Sequence, residues 1–83
     1  MDEDQLIDMW IQPDPARPGV EEARIAKYGV PVWAIIGHWR ATGESASQVE
    51  KDYEIPAEAV AAALAYYRRH QAALETRIAA NAA

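Results

Sequence analysis

Apolar and polar positions along this chain change period twice, and each period predicts a different element. In "LIDMWIQ", Ile7, Met9 and Ile11 alternate with other residues, which is the spacing of a strand. A short helix after Asp4 is the alternative. The strand is favoured because "PDPARPG" follows at once, and its three prolines cannot continue a helix. Within "EEARIAKYG", Ala23 to Ala26 reads as a second short strand able to pair with the first. From Pro31 the period lengthens. Pro31 suits a first helical turn, where its missing N–H costs nothing. Val32, Ile35, Ile36 and Trp39 then recur on one face, and Gly43 offers a left-handed stop, so a helix is predicted over Val32 to Thr42. Ser45 and Gln48 have capping-box spacing, with Ala46, Val49 and Tyr53 following on one side, which predicts a second helix of two turns. Pro56 opens a third. Its seam is Val60, Leu64, Tyr67, Gln71, Leu74 and Ile78, in alternating steps of four and three, and alanine fills most of the remaining places.

The length of that third helix matters. From Pro56 to about Ala80, at ~1.5 Å per residue, it would reach roughly 37 Å, more than two helices of about eight and eleven residues can cover. Its second half is expected to project, leaving Tyr67, Gln71, Leu74 and Ile78 as an interface for a homodimer or for another protein. Small residues at Ala65, Ala72 and Ala79 would allow two copies to approach closely, and symmetric dimers are the commonest oligomers. The predicted fold is mainly α: a three-helix, helix-turn-helix-like bundle with a long C-terminal helix, preceded by one or two short strands.

With 83 residues there is room for one domain, residues 1–83, divided into a strand-and-loop arm over 1–30 and a helical part over 31–83. The absence of cysteine excludes disulfides and thiolate metal sites. An acidic start, "MDEDQLID", is unlike a signal peptide, and the longest apolar runs fall far short of the ~20 residues needed to cross a bilayer, so a cytoplasmic protein with no membrane partner is expected. Charge is uneven. Residues 1–31 sum to −4, residues 32–64 to −3 and residues 65–83 to +2, for a total of −5. Phosphate contacts need clustered Lys and Arg, so most of this surface would repel nucleic acid.

"GVPVWAIIG", the "GES" turn, "DYEIPAEAV" and "AALAYYRRH", in that order and spacing, resemble the DUF433 family of small prokaryotic proteins, from about Arg24 to the C-terminus. Members are often encoded beside nuclease-like toxins and are described as antitoxin-like. The resemblance implies a helix-turn-helix-like bundle preceded by short strands, in a toxin–antitoxin context. Two features depart from the family pattern: "EEARIAKYGVPV" replaces a glycine-rich stretch, and Pro56 stands where a capping Thr is common.

Chemistry is sparse along the chain. Neither His38 nor His70 has a metal-ligand spacing, Ser45 is better explained as a cap than as a nucleophile, and no glycine-rich phosphate loop occurs, so neither catalysis nor a cofactor is expected. Trp39 shares a face with Ile35 and Ile36 and is read as core; a core role for Trp33 as well is favoured, with an outer Trp33 marking an interface as the alternative. The positions that would face DNA from the helix-turn-helix are Ala57, Glu58, Ala61 and Ala62, whereas base edges are read mainly by Arg, Lys, Asn and Gln. Arg68, Arg69 and Arg77 form the basic cluster, suited to a solvated face, to phosphate, or to an acidic groove on a protein. The leading expectation is a protein-binding antitoxin that occludes a nuclease-type toxin, with Tyr67, Leu74 and Ile78 as apolar contact. A DNA-binding repressor and a structural adaptor dimer are the alternatives.

Overall fold

The computed structural model describes residues 2–82. The chain begins with α1 (Glu3–Trp10), followed by β1 (Ile11–Gln12), a 3-10 turn (Val20–Glu22), β2 (Arg24–Ile25), α2 (Val32–Ala41), α3 (Ala46–Tyr53), α4 (Ala57–Arg69) and α5 (Gln71–Ala82). The architecture is mainly helical with a two-stranded antiparallel sheet near its start.

The opening segment is a helix where alternation predicts a strand. Asp2 caps it: its carboxylate accepts from the Gln5 N–H at 2.9 Å, and the Gln5 side chain accepts from the Asp2 N–H at 3.0 Å. Two donors that a helix start leaves unpaired are thereby satisfied, and Glu3 and Asp4 add favourable charge in the first turn. Ile7 and Trp10, three apart, pack towards the core, while Met9 is 53% exposed, so the period is helical. The strand survives only as Ile11–Gln12. It pairs with β2 in the register Ile11↔Ile25 and Gln12↔Arg24. The predicted Ala23–Ala26 strand is thus present in its central two residues.

Beyond β2 the chain reverses through Lys27 (φ 72°) and Gly29 (φ 73°) and returns so that the Ile25 N–H donates to Val30 O at 2.8 Å. Pro31 precedes α2, which buries Val32, Ile35 and Ile36. Gly43, at φ 74°, takes the left-handed turn that follows the helix. Ser45 accepts from the Gln48 N–H at 3.2 Å. The return half of that capping box is not made, because the Gln48 amide donates to Asp52 at 2.7 Å instead. Val49 of α3, Ile55 of the turn, and Ala59, Val60 and Ala63 of α4 join the α2 residues in the core. Trp33 and Trp39 both pack half-buried against it, which agrees with the core reading for the pair.

The long C-terminal helix bends. At His70 the backbone leaves helical geometry (φ −132°, ψ 40°), and its N–H is shared between Tyr66 O and Tyr67 O at 3.1 Å each. Beyond the bend α5 folds back against α2 and the 3-10 turn. Leu74 becomes fully buried, and Ile78 packs against the core. A straight helix of roughly 37 Å would exceed the molecule's longest dimension of 31 Å. Burying a leucine stabilises by about 1.5–3 kcal/mol, more than the loss of an ideal helical hydrogen bond at one residue, at about 0.5–1.5 kcal/mol. The bend therefore wins. The seam that the sequence left uncovered is covered within one copy.

Candidate functional site

The helix-turn-helix is built from α3 and α4. Glu54 ends α3 in the left-handed conformation (φ 55°), with its N–H on Glu50 O, and this sharp exit lets Ile55 drop into the core before Pro56 starts α4. Of the four positions expected to face DNA, Ala57, Glu58 and Ala61 are exposed. Ala62 is not: it is fully buried. The physical reason is α1, which the sequence reading had as a strand and which packs along α4.

Close to these positions along the chain come Glu50, half-buried, and Glu54, exposed, with Lys51 as the nearby cation. Asp52 is engaged sideways. Its Oδ2 lies 2.6 Å from His38 Nε2 on α2, and its Oδ1 accepts from Gln48. The hydrogen bond from His38, then that from Gln48, holds the Asp52 carboxyl below the usual carboxylate range. The His38 ring also meets Tyr53 edge-on, with centroids 5.4 Å apart. Fourteen residues separate His38 from Asp52, so no local spacing announced the pair.

The basic cluster is occupied by the chain's own acids. Arg68 donates to Glu3 at 2.6 Å, and Arg69 donates to Asp4 at 2.6 Å and to Glu3 at 3.4 Å. The hydrogen bond from Arg68 leads the causes that depress the Glu3 carboxyl. Arg77 donates to Glu22 at 2.8 Å and lies over the Trp33 ring at 4.2 Å. Arg40 forks onto Glu75 and also donates to the Tyr67 hydroxyl. Those two partners, Arg40 first, bring the Glu75 carboxyl down to about 2. Arg17 and Arg24 face Glu22 and Asp14. Each arginine of the chain therefore has a carboxylate within salt-bridge distance.

The expected interface residues are likewise engaged. Tyr67 donates its hydroxyl to Glu75 at 2.5 Å, Leu74 is enclosed, Ile78 is half-buried, and only Gln71 is exposed. The physical basis for an obligate companion on this seam is gone. A cleft of about 320 Å³ lies beside it, lined by Trp33, Gly37, His38, Tyr53 and Ile78 among others. Another, of about 350 Å³, runs between α1 and the 3-10 turn, with Ile7, Ile11, Val20 and Tyr66 in its walls. Tyr66 closes that end by donating its hydroxyl to Val20 O at 2.7 Å. Among the described residues, no three His, Cys, Asp or Glu side chains converge as a metal site, and no helix is long and apolar enough to cross a membrane.

The feature that sequence reading missed is the clamp of α1 on α4. Its signal was present in two places. Asp2 and Gln5 have the same capping spacing as Ser45 and Gln48, and the acidic arm and basic tail are opposite in charge.

Neither the curated proteins nor the solved structures contain a match to the chain. One family does match: "Protein of unknown function (DUF433)", over residues 20–67. That span holds the sheet's second strand, α2, α3 and most of α4, which is the whole helix-turn-helix, and it covers more than half of the 83 residues. On this ground the chain belongs to the DUF433 family.

Proposed function

We propose that this chain is a non-catalytic protein-binding domain of antitoxin type, which neutralises a nuclease-type toxin by covering its nucleic-acid-binding surface. One observation carries the reading: the arginines are paired inside the chain, so the helix-turn-helix keeps an excess of carboxylates, with Glu54 and Glu58 exposed and Glu50 half-buried. Nucleases hold polyanions on basic surfaces, and complementary charge both speeds encounter and selects partners. The toxin context rests on the resemblance to family members encoded beside nuclease-like genes. The contact moves from the Tyr67, Leu74 and Ile78 seam to this acidic face, because Leu74 and Ile78 are spent on the core.

The reading expects a small nuclease gene beside this chain's own, and the test is to sequence the flanking open reading frames and co-express the two proteins. Wild-type protein is expected to permit growth and to co-purify with the nuclease. Glu54→Lys/Glu58→Lys is expected to lose at least ten-fold in affinity, and Arg68→Ala/Arg69→Ala/Arg77→Ala to retain binding. Binding lost in the arginine variant and kept in the glutamate variant would overturn the choice of face. No complex with wild-type protein would overturn the antitoxin reading.

The helix-turn-helix geometry itself favours a second reading, a repressor acting on its own promoter. Such a protein binds DNA more tightly as salt falls. A mobility shift on the upstream sequence at low ionic strength would support it, and the absence of a shift with and without the partner would remove it.

A further inference from the structure

Ala62 and Ala65 on α4 are fully buried, yet neither belongs to the core cluster around Ile35, Ile36 and Val60. Successive helical residues turn by ~100°, which puts Ala62, Ala65 and Arg69 on one side of α4 and Val60, Ala63 and Tyr67 on the other. Along the first side runs α1. Its start is fixed to the end of α4 by Arg68 on Glu3 and Arg69 on Asp4, at 2.6 Å each. The two surfaces complement each other chemically. Alanines let a second helix approach closely, and a pair of arginine forks at one end selects carboxylates.

The packing of α1 along α4 is the most extensive between any two elements, yet it stays peripheral. The helix contributes no fully buried residue, and its arginine contacts are solvent-exposed. A helix of eight residues does not persist by itself in water, so α1 is helical because it is docked. It also lies outside residues 20–67, whereas Ala62 and Ala65 lie inside them. Arg68 and Arg69, the charged end of the seat, lie outside them as α1 does.

We infer that this side of α4 is a docking site for an acidic amphipathic helix, occupied in cis by α1, and that a like helix from a partner protein takes its place. The inference does not rest on the toxin reading, which uses charge of the opposite sign, at Glu54 and Glu58, although Glu58 stands one turn before Ala62 on the same side of α4. Being tethered, α1 acts at an effective concentration in the millimolar range, so an equal helix in solution competes poorly with the intact chain. Weakening the cis contact raises the open fraction and tightens apparent binding in proportion.

The probe is a fluorescent peptide of residues 2–12, "DEDQLIDMWIQ", titrated by anisotropy into the full chain. It is expected to bind the Glu3→Lys/Asp4→Lys chain at least ten-fold more tightly than wild type. In a chain carrying only Arg68→Glu/Arg69→Glu, where the native acids of α1 meet like charge, this peptide is expected not to bind, and a peptide carrying lysine at both acidic positions is expected to bind. Equal affinity for wild type and Glu3→Lys/Asp4→Lys overturns the inference. So does binding that survives the arginine reversal, or no binding to the Glu3→Lys/Asp4→Lys chain up to millimolar peptide. Hydrogen exchange on the wild-type chain provides a check that needs no variant. Amides of α1 are expected to exchange through local opening well before those of α2. Exchange of both only by global unfolding would show that α1 cannot be displaced, and the inference falls.

Discussion

Gly37 sits in the interior of α2, where a methyl group would meet no atom within 4 Å. Glycine inside a helix costs about 1 kcal/mol relative to alanine. Gly37→Ala is therefore expected to raise the melting temperature by about 4–8 °C, the shift that 1 kcal/mol produces in a domain of this size. An unchanged or lower value would mean that a close approach there has been overlooked. Ser45 gives the opposite sign. Its hydroxyl satisfies the Gln48 N–H, so Ser45→Ala is expected to destabilise by about 1 kcal/mol, measured by urea unfolding. Glu75 adds a pH dependence. Its carboxyl is held at about 2 by Arg40 and Tyr67 against an ordinary 4.5. The stabilisation that follows is fully present above the unfolded value and is lost as pH falls through the folded one. Glu75→Gln is expected to melt below wild type at pH 7, with the gap closing between about pH 4.5 and 2. The gap should be small, since the pair is more than a third exposed. Two of these three residues were poorly legible in the sequence. Serine's capping role follows from local spacing, but Glu75 meets Arg40 across 35 positions.

Elements divide in the same way. Helices α2 and α3 appear close to where their caps and periodicity place them, because a cap and a helical stripe act over a few residues. The opening helix was misread for a reason that lies within those few residues. Ile7, Met9 and Ile11 fit period two, but Ile7 and Trp10 fit a helix, and the capping box at Asp2 and Gln5 decides between them. The bend at His70 had no such marker, since neither glycine nor proline stands nearby. It exists because Leu74 gains a core to enter. Leu74→Ala tests this directly. In a projecting helix the change would cost little, whereas in the folded-back α5 it is expected to cost about 2–5 kcal/mol. Denaturant titration separates the two, and a loss below 1 kcal/mol would argue for a straight C-terminal helix.

For the molecule as a whole, regional charge acquires a meaning that summation hides. The arm of residues 1–31 and the tail of residues 65–83 differ in sign because they meet: Glu3, Asp4 and Glu22 neutralise Arg68, Arg69 and Arg77. What remains outward on the helix-turn-helix is an excess of acid, and that excess is the physical ground for preferring a basic protein partner over DNA. The chain is thus expected to bind its partner less tightly as salt rises, with the Glu54→Lys/Glu58→Lys protein showing a shallower salt dependence than wild type. Titration calorimetry at two ionic strengths would measure both slopes. Equal slopes would place the contact elsewhere.

The sequence by itself determined the helix-turn-helix, the cap at Ser45, the short pairing of the arm and the family to which the chain belongs. Each of these rests on contacts between near neighbours or on an ordered set of motifs. Only the tertiary structure decided that the C-terminal seam turns inward, that Ala62 is covered, and that the arginines are answered by acids as many as 66 positions away. Those outcomes depend on where a distant surface ends up once the core has closed, and no local pattern encodes that.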